Sequence, residues 1–189
     1  MLSIMSNDDL FVGEKISLEE MMEAREQRSF QHFSLLKENT DTNLLSVTMN
    51  IPGPIKTSPQ LLALFEEMIA VVQAKLADQD ISYDMYLPLK TGAEYYLLTN
   101  LSATSLKERM IALETENPLG RLFDLDVLTL ADGHLQSISR QDLGLPTRRC
   151  YVCSEDAKVC GRSRKHSIED MQKAIQQIIA STISHTKEE

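Results

Sequence analysis

Residues 116–133 read "ENPLGRLFDLDVLTLADG", and the fold turns on how this stretch is read. Asn117-Pro118 stops a preceding helix, because proline disfavours helical backbone at the residue before it. From 121 to 130 an apolar run is interrupted by Asp124 and Asp126. The interruption at every second residue predicts a strand with one face turned to a core. Ala131-Asp132-Gly133 is a turn signal, and 134–139 is the returning strand. On such a strand Phe123, Leu125 and Val127 point one way and the two aspartates the other. Their Cα atoms lie roughly 7 Å apart at about 3.3 Å rise per residue.

Working outward, Ser17-Leu-Glu-Glu20 fits a capping box for a helix over about 18–37, with Arg25 and Arg28 on one side of it. Residues 44–49 read as a short buried strand. "NIPGPIKTSP" then forms a stiff loop, and Ser58-Pro59 starts an amphipathic helix over 59–78. Strands are expected near 82–87 and 94–99. A third helix is expected to open at Ser105-Leu-Lys-Glu108 and run to about 115, and a last helix to span 168–183. Helices interspersed with hairpin strands predict an α+β fold with a mixed or antiparallel sheet. The expected organisation is a flexible N-terminus over 1–16 and a catalytic domain over 17–147. A Cys/His-containing basic segment with the C-terminal helix, over 148–189, is expected to pack on that same domain.

The chain has 189 residues and a formal net charge of −9. That size suits one packed domain, and the charge argues against nucleic acid as a partner. No run approaches the roughly 20 apolar residues of a membrane span. The N-terminus lacks signal-peptide regions, so a cytoplasmic protein is expected.

Two carboxylates on one face resist joint desolvation, and a divalent cation relieves the repulsion. Mg²⁺ with its preference for oxygen ligands and phosphates is the expected ion for Asp124 and Asp126, the alternative on spacing alone being the exposed polar face of an antiparallel strand. Gly120 and Arg121, just ahead of the strand, offer a backbone N–H and a guanidinium to phosphate. Lys56 in the stiff loop and Lys107, expected in the first turn of its helix where the dipole disfavours a cation, are further phosphate candidates. The segment Cys150-x2-Cys153-x6-Cys160-x5-His166 offers three thiolates and an imidazole, a set suited to structural Zn²⁺ or to remaining as free thiols. Arg148, Arg149, Lys158, Arg162, Arg164 and Lys165 make this segment basic within an acidic chain. A localised anionic partner is implied, either a polyphosphate or an acidic protein surface.

"PGPIK" at 52–56, "PLGRLFDLDV" at 118–127, "ISR" at 138–140 and the Cys/His pattern at 148–166 together resemble the apo-citrate lyase phosphoribosyl-dephospho-CoA transferase family. The resemblance runs from about Arg25 to the last helix. It implies transfer of the prosthetic group from 2′-(5″-triphosphoribosyl)-3′-dephospho-CoA to a serine of the citrate lyase acyl carrier protein, the γ chain, with loss of pyrophosphate. That is nucleotidyltransferase chemistry, and a nucleotidyltransferase-like site is expected with it. On this reading Asp124 and Asp126 are catalytic Mg²⁺ ligands, and one of them helps activate the serine. Arg25, Arg28, Gly53, Lys56, Lys107, Gly120, Arg121 and Arg140 bind phosphate, and Arg148, Arg149, Arg162, Arg164 and Lys165 dock the carrier. Rival readings are a zinc-stabilised adaptor for an acidic protein and a nucleotidyltransferase acting on another carrier protein.

Overall fold

The structure is a computed structural model in which residues 10–185 are described. Five helices flank one five-stranded sheet. In chain order they are α1 (Leu18–Glu38), β1 (Asn43–Met49), α2 (Pro59–Lys75), β2 (Ile81–Leu89), β3 (Gly92–Thr99), α3 (Ala103–Glu116), β4 (Phe123–Ala131), β5 (His134–Ile138), α4 (Ala157–Ser163) and α5 (Ile168–His185). The strand order is β2-β3-β1-β4-β5, and every neighbouring pair is antiparallel. The α+β class is therefore as expected, with the antiparallel form of the sheet.

The alternation in 121–130 sets what each face carries. Leu45, Val47, Leu97, Phe123, Leu125 and Val127 are buried on one side with Phe65 and Met68 of α2, Leu106 and Met110 of α3, and Ile175 and Ile179 of α5. Each such side chain contributes roughly 1.5–3 kcal/mol when fully buried. The opposite face changes character along its length. Across β3, β1 and β4 its rows are Leu98–Leu44–Leu128, then Tyr96–Ser46–Asp126, then Glu94–Thr48–Asp124. α1 covers this face in step. Leu35 and Leu36 pack on the apolar row, His32 bonds Ser46 at 2.9 Å, and Arg28 pairs with Glu94 at 2.7 Å. The sheet thus turns polar toward the end that carries the aspartates.

Two of the boundaries that differ from expectation bear on the residues singled out above. Ser102, not Ser105, caps α3, with its side chain accepting from Ser105 N. Lys107 therefore sits in the second turn, and the dipole argument for it lapses. Part of the segment 1–16 that was expected to be flexible is packed against the rest. Leu10 and Ile16 are buried, Ile16 N donates to Pro54 O at 2.8 Å, and Lys15 pairs with Ile55; residues 1–9 lie outside the described region.

Candidate functional site at the open edge of strand β4

β5 pairs with β4 only from Val127 onward, which leaves the edge of 123–126 without a strand partner. Side chains take its place. Lys107 Nζ donates to Leu125 O at 2.7 Å and Arg148 Nη2 to Phe123 O at 2.6 Å. A cleft of about 420 Å³ opens here, walled by Asp124, Asp126, Lys107, Glu114, Arg140 and Arg148, with Lys158 of α4 at its margin.

Glu114 organises this wall. Its side chain is 4% exposed and accepts from Arg140 at 2.7 Å and from Arg148 at 2.8 Å, one arginine per carboxylate oxygen. Arg148 also reaches Asp124 Oδ1 at 2.9 Å. Burial raises the pKa of Asp124 against the pull of Arg148, helped by the neighbouring charges of Asp126 and Glu114. Burial likewise lowers the pKa of Lys107, and the fields of Glu114 and Asp126 oppose that shift. Asp126 is exposed, and its side chain makes no hydrogen bond or ion pair among the described residues. The two aspartates therefore present oxygen ligands to the cleft, since Arg148 engages only Oδ1 of Asp124. That donor set fits Mg²⁺.

On the other side of Asp124 a smaller recess, about 140 Å³, is lined by Arg25, Arg28, Lys56 and Asn50. Asp124 and Asn50 border both spaces. Arg28 is committed to Glu94, which also accepts from Tyr96 Oη. Lys56 Nζ donates to Ile51 O at 2.6 Å, and burial together with Arg25 lowers its pKa. Arg25 is exposed and makes no ion pair among the described residues. A third space of about 490 Å³ adjoins the main cleft on the side of Arg121, Arg149 and Tyr151 and shares Glu114, Arg140 and Arg148 with it.

Several expected residues have other placements. Gly120 N–H is taken by Asn117 O at 2.9 Å and so is not free for phosphate. A Cβ there would lie 2.6 Å from Glu114 Cα, so this glycine lets the turn lie directly on α3. Gly53 has φ +90, and a Cβ there would press on Ile168 at 3.1 Å; its need is conformational and steric. The carrier-docking set divides. Arg148 points into the cleft because Glu114, Asp124 and two carbonyls attract it there. Arg149 is exposed, its carbonyl accepting from Arg121. Arg162 in the last turn of α4 and Arg164 and Lys165 just after it are exposed, with Lys165 paired to Glu155 at 2.7 Å. Glu114, Glu94 and Asn50 had not been expected in a site. A signal existed for the first of these: Lys107 and Glu114, seven apart, interrupt the apolar face of α3.

Next to the cleft, Cys150, Cys153, Cys160 and His166 bring one ligand atom each to within 4.8 Å of one another. Cys153 and Cys160 Sγ are 3.5 Å apart. His166 Nε2 is buried with no hydrogen-bond partner. This group could hold a metal such as zinc, whose bonds of about 2.0–2.3 Å place tetrahedral ligands roughly 3.3–3.8 Å apart.

Fold and cleft together describe an α+β protein with carboxylates and cations gathered at an open sheet edge, and no helix among the described residues is long and apolar enough to cross a membrane. The family described as apo-citrate lyase phosphoribosyl-dephospho-CoA transferase matches residues 16–182, and the chain belongs to this transferase family. A probable apo-citrate lyase phosphoribosyl-dephospho-CoA transferase of Streptococcus pyogenes serotype M18 is 54% identical over 177 residues, covering 94% of this chain and 92% of that protein. One of the same description from Vibrio cholerae serotype O1 is 35% identical, covering 86% and 91%. Protein CitXG of Haemophilus influenzae is 38% identical over 88% of this chain and 35% of its own longer length.

Proposed function

We propose that this protein transfers the phosphoribosyl-dephospho-CoA group from its triphosphate donor to a serine of the apo-citrate lyase acyl carrier protein, acting in the cytoplasm. The serine Oγ attacks the α-phosphorus, the bond to pyrophosphate breaks, and pyrophosphate leaves; the reaction is a nucleotidyl transfer. The observation that carries this reading is that Asp124 borders two spaces lined by cations, with Asp126 beside it in the first of them. Lys107, Arg140, Arg148 and Lys158 line the first, and Arg25 and Lys56 the second. A polyphosphate lying across Asp124 meets positive charge along its whole length.

Mg²⁺ held by Asp124 and Asp126 would neutralise the triphosphate and assist the leaving group. Arg148 and Arg140, fixed by Glu114, keep their forks oriented toward the cleft and so bind phosphate oxygens without first being ordered. Arg25 is the exposed partner and Lys56 the tethered one in the adjoining recess. Zn²⁺ on Cys150, Cys153, Cys160 and His166 is structural, because four protein ligands leave no open position. Arg149, Arg162, Arg164 and Lys165 face outward, as docking an acidic carrier requires.

The test is direct. The protein is incubated with apo γ chain, the triphosphate donor and Mg²⁺, and the γ chain is weighed by mass spectrometry. A mass increase equal to one phosphoribosyl-dephospho-CoA on a serine is expected. An unmodified γ chain, with the donor intact, would refute the reading.

A further inference from the structure

The cysteine cluster and the cleft are joined by a short piece of backbone. Ala157 N donates to Arg148 O at 2.9 Å and Cys150 N to Glu155 O at 2.7 Å, with Arg149 bridged to Asp156 between them. Residues 148–150 and 155–157 therefore form a two-rung ribbon. One end of it carries Arg148, and the other is closed by the ligand cluster. Besides the cluster, the ribbon is held by Tyr151, half-buried against the core, and by Arg121, which donates to Arg149 O, while its approach is exposed. Gly144, Leu145 and Pro146 are all exposed, and within 150–160 only Cys160 is fully buried.

The cluster itself calls for a cation. Three sulfur atoms and an imidazole nitrogen crowd within 4.8 Å, and the buried His166 Nε2 meets no donor or acceptor. A buried polar atom left without a partner is costly, and a metal bond satisfies it. His166 comes from beyond α4, so closing the cluster fixes α4 against the ribbon. Asp156, which caps α4 by accepting from Lys158 N at 2.7 Å, lies in the ribbon's second strand.

We infer that zinc bound by Cys150, Cys153, Cys160 and His166 positions Arg148 over Glu114 and Asp124. Loading of a metal site outside the cleft thereby sets how well the cleft holds its triphosphate donor. This rests on the reading of the cluster as a zinc site. Arg148 is the contact, and the zinc acts through it as a positioning element. Without the ion the two-rung ribbon loses its closed end, and the guanidinium no longer reaches Glu114 and Asp124 from a fixed base.

The experiment measures zinc content and donor KM together, on full-length protein purified without chelators. Wild type should carry about one zinc per chain. Cys153→Ser should lose it and raise donor KM about tenfold, as should Arg148→Gln, while the double variant should be no worse than either single one. Cys153→His, which keeps a fourth ligand, should retain the metal and a donor KM near wild type. If Cys153→Ser does not fold, His166→Gln takes its place. A merely structural zinc would lower the melting temperature of Cys153→Ser and leave donor KM unmoved in the folded fraction. That result, or additive effects in the double variant, overturns the inference and leaves the zinc reading standing. Wild-type protein without zinc overturns both.

Discussion

The acids around the cleft fall into two pairs that share a neighbourhood and differ in nearly everything else. Glu94 and Glu114 have side chains 3% and 4% exposed, and each is matched by arginine, Glu94 by Arg28 and Glu114 by Arg140 and Arg148. Asp126 is exposed and without an ion pair among the described residues, and Asp124 is engaged by Arg148 on one oxygen. The glutamates have been removed from water and neutralised in place. Breaking such a pair leaves an uncompensated charge, so they belong to the scaffold. The aspartates are less fully matched: Asp124 has one oxygen outside its pair with Arg148, and the Asp126 side chain has no ion pair among the described residues, which is what the proposed metal site requires. Acidity alone thus does not mark a site; an acid whose partner is missing from the protein does.

The sharpest way to break this contrast is to neutralise the open pair. Asp126→Asn should lower the transfer rate at least about 100-fold, on the order of 3 kcal/mol of transition-state stabilisation, with the melting temperature near wild type. Asp124→Asn should lose as much activity. A mass-spectrometric rate assay alongside thermal melts separates the two effects. Near-normal rates at saturating Mg²⁺ would end the assignment.

The closed pair should fail in the opposite sense. Glu114→Ala should cost about 2–3 kcal/mol of stability, because Arg140 and Arg148 are left facing each other with only partial access to water. In a chain of this length that is a drop of roughly 4–12 °C in melting temperature. Calorimetry on the variant checks it, and an unchanged melting temperature would mean that the ion pairs hold nothing together.

The buried polar face beneath α1 adds a pH dependence. Burial, with Arg28 nearby, lowers the pKa of His32 to about 4 from its ordinary 6.5. The unfolded chain then takes up this proton more readily than the folded one. The contribution of neutral His32 is complete above pH ~6.5 and is lost as pH falls toward 4, by at most about 3 kcal/mol. Urea midpoints at pH 7.5, 6 and 5 should fall more steeply for wild type than for His32→Gln. Parallel slopes would remove His32 from the account.

The smallest effect should come from the outer basic segment. Replacing Arg162, Arg164 and Lys165 with Ser should slow association with the γ chain several-fold at low salt, and the difference should shrink toward 1 M salt, where the Debye length is about 3 Å. Stopped-flow association rates at the two salt concentrations measure this. Donor affinity should stay near wild type, since these side chains lie outside the cleft; a collapse in donor affinity with carrier binding intact would invert the two roles.

Much of the fold was legible because its signals are local. The alternation through 121–130 defines the strand and puts both aspartates on one face, Ser17 and Ser58 cap their helices through neighbours three residues on, and the cysteine spacing brings four ligands together. What was hidden depends on distant pairing. Arg148 meets Asp124 across 24 residues of chain, and nothing in the run of basic residues at 148–165 separates the one that turns inward from those that remain outside. Gly120 read as a phosphate loop because glycine serves both close packing and anion binding, and only the 2.6 Å approach to Glu114 decides between them. The face shared by Ser46, Thr48 and Glu94 was out of reach for the same reason, since its polarity becomes a pattern only when β3, β1 and β4 are laid side by side.

The central claim is that the open aspartates hold Mg²⁺ for the triphosphate donor. Calorimetric titration of donor into wild type and Asp126→Asn, each with Mg²⁺ and with Mg²⁺ simply omitted, tests it most directly. Wild-type affinity should fall clearly when Mg²⁺ is left out, while Asp126→Asn should bind weakly in both buffers and show little dependence on the ion. An equal dependence on Mg²⁺ in the two proteins would show that the metal sits elsewhere and would contradict the account.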